Sequence, residues 1–181
     1  MSWLTGNQII KEVNQNRITI LPFSENQVNP NSYDYRLAPI IKKIIPNSSR
    51  NGIPCIDPKI ETCYEEIIIP ENGLLLLPGQ CYLGHTVEVF GSDFFASLVT
   101  GKSSVGRLFI NNHHCAGLID QGFLANITLE ITCQLPAVVY PNMRFGQIFW
   151  YKTFGKALLY QGKYQTNNAA QISRIYLDIQ K

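Results

Sequence analysis

With 181 residues, 45% of them hydrophobic, the chain is long enough to bury one substantial core and is far from the composition of a disordered segment. Fifteen Lys and Arg against thirteen Asp and Glu leave a net charge of +2. So small a balance predicts no nucleic acid and no membrane as a whole-surface partner, and it assigns any phosphate binding to a local site. Apolar runs such as Leu74–Leu77 and Ala137–Tyr140 are far too short to span a bilayer. The start, Met1-Ser-Trp-Leu-Thr, lacks the basic residues and long apolar stretch of a signal peptide. Together with five cysteines in no framework spacing (55, 63, 81, 115 and 133), it predicts a cytoplasmic protein with reduced, mostly buried thiols.

The first element is a helix. Thr5-Gly-Asn-Gln8 has the form of a capping box, and Ile9, Ile10 and Val13 supply an apolar stripe that ends around Asn14–Asn16. Short β segments come next at Ile18–Ile20, Glu65–Ile69, Gly73–Leu77, Gln80–Val87, Phe94–Leu98, Ile127–Cys133 and Phe145–Tyr151, most with Pro, Gly, Asn or Asp at an end. Asn47–Gly52 reads as a surface loop and Gln161–Gln171 as a polar, mobile stretch within a C-terminal tail, 161–181. Closely spaced strands with little helical period predict an all-β fold, a distorted antiparallel β-barrel or jelly roll, with one domain over 1–181.

Three segments could carry chemistry. In Ile127-Thr-Leu-Glu-Ile-Thr-Cys133, alternation sends Thr128, Glu130 and Thr132 to one face and the apolar residues to the other. Taken alone, such a face is most simply a solvated one. Thr100-Gly-Lys-Ser-Ser-Val-Gly-Arg107 gathers glycines, hydroxyls and two cations, which suits phosphate oxygens but also describes an ordinary turn. It is not a P-loop, because the first glycine and the succeeding helix of that motif are missing. In His114-Cys-Ala-Gly-Leu-Ile-Asp-Gln-Gly-Phe123, Asp120 precedes a glycine turn and could simply form it. His113 and His114 read as structural or surface residues: the HxE and PCxxC pair of zinc deaminases is lacking, and the cysteines show no CxxC pairing, so no zinc is expected.

Considered together, these segments resemble the deoxycytidine triphosphate deaminases, a branch of the trimeric deoxyuridine triphosphatase superfamily. The resemblance runs through Ser32-Tyr-Asp-Tyr-Arg-Leu37, Leu77-Pro-Gly-Gln80, Lys102-Ser-Ser-Val-Gly-Arg107, Ala116-Gly-Leu-Ile-Asp-Gln-Gly-Phe123, Ile127-Thr-Leu-Glu130, Met143-Arg-Phe-Gly-Gln147 and Gly162-Lys-Tyr-Gln165. It implies a homotrimer with active sites shared between subunits and zinc-free hydrolysis of dCTP to dUTP and ammonia. On the matching positions it implies Glu130 as proton shuttle, Arg107 steadying charge, and Ser103 with the Ala116 carbonyl positioning the water. Asp120 would hold the deoxyribose and the Thr128–Leu129 backbone would read the base edge. Lys102, Ser104, Val105, Gly106, Gln147, Tyr160, Lys163 and Asn167 would belong to the nucleotide-binding set, with Mg2+ accompanying the triphosphate and no metal ligand on the chain.

The tail departs from the family pattern: Thr166, Ala169 and Ala170 stand for two glycines and a proline, and Asn167 for a glutamine. Ala116-Gly117-Leu118 is more similar to bifunctional members, which continue from dUTP to dUMP and pyrophosphate. A pure deoxyuridine triphosphatase and a catalytically silent barrel complete the alternatives.

Overall fold

The computed structural model describes residues 2–166 and 168–179. The helix forms at Gly6–Asn14, where Thr5 Oγ1 accepts the Gln8 N–H at 3.4 Å. Only half of the capping box is present, because the Gln8 side chain donates to Glu12 instead of returning to the cap. Ile9 is fully buried, and so is Glu12, which the apolar stripe did not foretell. Burial opposes the charge on Glu12, yet hydrogen bonds from Arg17 and Gln8 and the nearby positive charges hold its carboxyl below the usual range.

Two antiparallel sheets make the barrel. One runs Leu118–Ile119, Ala96–Gly101, Arg144–Lys152, Ser32–Arg36, Val28–Asn29, with Ser2–Trp3 added beside Arg144–Lys152. The other runs Ile110–Asn111, Leu124–Cys133, Tyr82–Gly91, Ile40–Ile45, Cys63–Ile68, with Thr19–Leu21 added beside Tyr82–Gly91. Tyr33, Tyr35, Leu37, Phe90, Leu129, Phe145 and Trp150 fill the space between them. A bridge from Leu37 to Thr86 joins the sheets.

The Tyr82–Gly91 strand is interrupted by a bulge: His85 pairs Thr128 and Val89 pairs Asn126, so Thr86, Val87 and Glu88 oppose Ile127 alone. Side chains satisfy the groups left over. Thr86 Oγ1 accepts the Ile127 N–H at 2.9 Å and donates to the Glu88 carbonyl, while Asn126 Nδ2 donates to the carbonyls of Thr86 and Glu88. The bulge also turns Glu88 inward, where it receives Arg36 Nε at 2.7 Å and Gln27 Nε2 at 3.0 Å.

Three expectations are corrected. Asn47–Gly52 is no plain loop: Ser48–Arg50 pairs with Ile53–Cys55 about an Asn51-Gly52 turn with both residues at positive φ. The thiols are mostly accessible, since Cys63, Cys81 and Cys115 are exposed and only Cys133 is buried. The described residues of Gln161–Gln171 are seated on the barrel: Gln165 bridges the Gly122 carbonyl and the Leu124 N–H, and Ala170 is 1% exposed. A methyl group at 170 fits a closed niche, so the alanine that departs from the family pattern is packed.

Candidate active site

The Leu124–Cys133 strand alternates as its sequence predicts, with Ile127, Leu129, Ile131 and Cys133 buried and Thr128, Glu130 and Thr132 half-buried. The polar face is not a solvated one. Thr128 and Glu130 line a cavity of about 530 Å3, walled by Leu83, Ile119 and Phe123 and roofed by Tyr164 and Gln171 of the tail. Gln171 N–H donates to Thr128 Oγ1 at 3.0 Å, which ties the tail to this strand.

The lining is mainly apolar, with Glu130, Thr128 and His113 among its polar groups. Glu130 Oε2 accepts the His114 N–H at 3.0 Å, and Oε1 has no partner among the described residues. His113 lines the same cavity, and among the described residues neither of its buried ring nitrogens has a hydrogen-bond partner. Ala116 forms part of the wall. Beside it, Gly117 is packed too closely for a side chain: a Cβ there would stand 2.8 Å from the Val99 carbonyl, and Val99 N–H donates to the Gly117 carbonyl at 2.9 Å.

A second cavity of about 550 Å3 is open and polar, lined by Lys102, Ser103, Ser104, Arg107 and Gln147 together with Ser32. Ser103–Gly106 is a single helical turn, the only trace of the helix that a P-loop would require there. Val105 is buried in the core beneath it, and Gly106 faces open space. Lys102 Nζ stands 2.6 Å from Asp34 Oδ2, and that aspartate is 1% exposed. The lysine is therefore a fixed, partly neutralised cation, whereas the Arg107 guanidinium is exposed and has no partner among the described residues. Gln147 is held by Ser32 Oγ at 2.6 Å and by the Gly101 carbonyl at 3.2 Å. Free hydroxyls beside an unpaired guanidinium are the chemistry of an anion site.

One chain thus places Glu130, Thr128 and Ala116 in one cavity and Ser103, Ser104, Arg107, Lys102 and Gln147 in another. The other expected residues lie outside both. Asp120 is an exposed turn residue, the Leu129 side chain is core, and Tyr160 packs edge-on against Phe123. Lys163 is engaged within the tail by Asp178 and the Arg174 carbonyl. Asn167 lies outside the described residues. Sequence reasoning missed Asp34 and His113 as site residues; Asp34 lies within the Ser32–Leu37 motif, but its pairing with Lys102 spans sixty-eight positions.

Among the described residues no three His, Cys, Asp or Glu side chains gather into a metal-holding group.

The architecture is that of a distorted antiparallel β-barrel. It matches the crystal structure of 2′-deoxycytidine 5′-triphosphate deaminase from Agrobacterium tumefaciens with a TM-score of 0.64 at 21% identity, over 83% of this chain and 48% of that one. The chain therefore spans about half the length of that structural neighbour. The chain belongs to the dCTP deaminase-like family, whose profile matches residues 3–153. Proteins named "dCTP deaminase, dUMP-forming" are similar over nearly their whole length. The one from Clostridium botulinum (strain Eklund 17B / Type B) is 40% identical over 98% of this chain and 99% of its own. That from Cytophaga hutchinsonii is 39% identical over 95% and 96%, and that from Leptospira biflexa 37% identical over 98% of each.

Proposed function

We propose that the protein hydrolyses dCTP to dUMP in two steps: water replaces the cytosine 4-amino group to give dUTP and ammonia, and a second water splits dUTP into dUMP and pyrophosphate. The first step carries the plain deaminase reading; the dUMP-forming names of relatives at about 40% identity favour adding the second.

The observation that carries the reading is Glu130, a half-buried carboxylate with one oxygen held and one open, at the edge of an apolar-walled cavity large enough for a nucleoside. Its open oxygen takes a proton from the attacking water. The same carboxyl then gives a proton to N3 and assists protonation of the leaving amine, so one group serves the whole exchange. The Ala116 segment and Ser103 orient the water. Arg107 stabilises the charge that develops on the tetrahedral centre and, with Ser104 and Lys102, neutralises phosphate. A magnesium ion accompanying the triphosphate would offset part of its charge beside Lys102 and Arg107.

Because Glu130 and Arg107 line separate cavities of one chain, a joint site requires one residue from each of two subunits. Shared sites of a homotrimer meet that requirement.

Purified protein incubated separately with dCTP and dUTP, with ammonia and pyrophosphate followed, tests the reading. Both products from dCTP are expected. Ammonia alone leaves a plain deaminase, pyrophosphate from dUTP alone a triphosphatase, and no turnover a silent barrel. Glu130→Gln keeps nucleotide binding but loses ammonia release by a factor of roughly 100 or more, since the amide cannot accept the proton. Ammonia release at the parent rate would reject the role of Glu130.

A further inference from the structure

Glu130 extends from a strand on a flexible stem, and its carboxylate is aimed by a single donor among the described residues, the His114 N–H at 3.0 Å. That donor is itself part of an irregular segment. On one side the segment is anchored by buried Asn112, whose Nδ2 donates to Tyr35 Oη at 2.7 Å and to the carbonyls of Thr100 and Phe145 at 3.3 Å. On the other side it is anchored by Gly117 against Val99. Between these anchors the ring of His114 turns back, and its Nε2 lies 3.0 Å from Thr132 Oγ1.

Both ties of His114 end on the same strand, two residues apart and on one face, so Glu130, Thr132 and His114 close a small triangle. We infer that His114 and Thr132 form a positioning pair: their ring–hydroxyl contact holds the main chain of residues 113–116 so that one amide grips Glu130 Oε2 while Oε1 is left for the substrate. The same contact steadies Ala116, which lines the cavity along with Glu130. The pair touches neither base nor phosphate. Loss of it lets the segment rotate, which removes the donor and lets the carboxylate leave the productive rotamer. This inference rests on the catalytic reading of Glu130.

The consequence falls on the chemical step. Thr132→Val keeps the shape and removes the hydroxyl; it is expected to lower kcat for ammonia release about tenfold with KM within about twofold, as for a small misplacement of a reacting group. His114→Ala gives a similar loss, and the double variant loses no more than either single one, because both cut one link. Thr132→Ser, which retains the hydroxyl, restores the parent rate. Thermal midpoints stay within about 3 °C, since the contact is exposed. Amide exchange at His114 reads the link without turnover: Thr132→Val and Glu130→Ala both accelerate it, whereas Thr132→Ser does not.

Thr132→Val at the parent kcat, a double variant whose loss is the product of the single losses, Thr132→Ser as slow as Thr132→Val, or unchanged exchange at His114 would overturn the pair. Glu130→Gln separates the two levels. If that variant is inactive while Thr132→Val and His114→Ala run at full rate, only the pair fails; if it still releases ammonia, the role of Glu130 fails with it.

Discussion

His85 shows how one residue on the strand next to Glu130 links this region to the stability of the whole fold. It is buried at 9% exposure, pairs with Thr128 across the strands, and has its Nδ1 3.0 Å from the Thr86 carbonyl. Burial pushes its pKa down from the ordinary 6.5; the Thr86 carbonyl opposes this, and the charge of Lys42 adds to it. The unfolded chain therefore takes up this proton more readily than the folded one. The stability due to neutral His85 is complete above about pH 6.5 and declines as pH falls through the lowered folded value. Thermal melts between about pH 7.5 and about 5 are expected to show a falling midpoint for the parent and a shallower fall for His85→Gln. Equal slopes would show that the ring is not the titrating group.

At the scale of elements, the bulge opposite Ile127 decides where the site strand lies. Its spare N–H and C=O groups are satisfied by Thr86 and Asn126, both buried. Thr86→Val keeps the volume but leaves the Ile127 N–H without a partner in a place water does not reach, and the Glu88 carbonyl with Asn126 Nδ2 alone. A loss of about 2 kcal/mol is expected in denaturant unfolding, with the slope unchanged. Loss of only a few tenths of a kcal/mol would mean that the backbone relaxes around the valine. The periodicity of Ile127–Cys133 was legible because strand alternation depends only on neighbours in sequence. The bulge was not legible, since nothing local to Thr86-Val-Glu88 says that three residues will oppose one. Nor was the role of the polar strand face: Thr128 and Glu130 line a cavity because Tyr164 and Gln171, from the far end of the chain, cover them.

For the whole molecule, the separation of the two cavities is the feature with the largest consequence. A carboxylate cavity and an anion cavity within one chain predict that Glu130→Gln and Arg107→Ala are each inactive as pure proteins. Mixed by co-expression or by refolding together, the two variants are expected to recover part of the parent ammonia release, since sites shared between subunits, as proposed, would in some cases hold one intact copy of each residue. The assay is ammonia release at equal total protein. Recovery no greater than the sum of the two separate proteins would mean that each subunit works alone, with the reaction confined to the Glu130 cavity.

The order of residues along the chain determined the helix near Thr5, the β character of most of the remaining chain, and the polar face that carries Glu130, all of them consequences of spacing and of the residue types at element ends. It also held the motifs on which family membership rests. Tertiary structure alone decided that Lys102 is bound to a buried aspartate, that Lys163 is held inside the tail, and that the exposed guanidinium of Arg107 lines a different cavity from Glu130. The reason is physical: alternation and capping act over a few residues, whereas charge pairing and cavity formation depend on which distant segments the packed barrel brings within a few ångströms of one another.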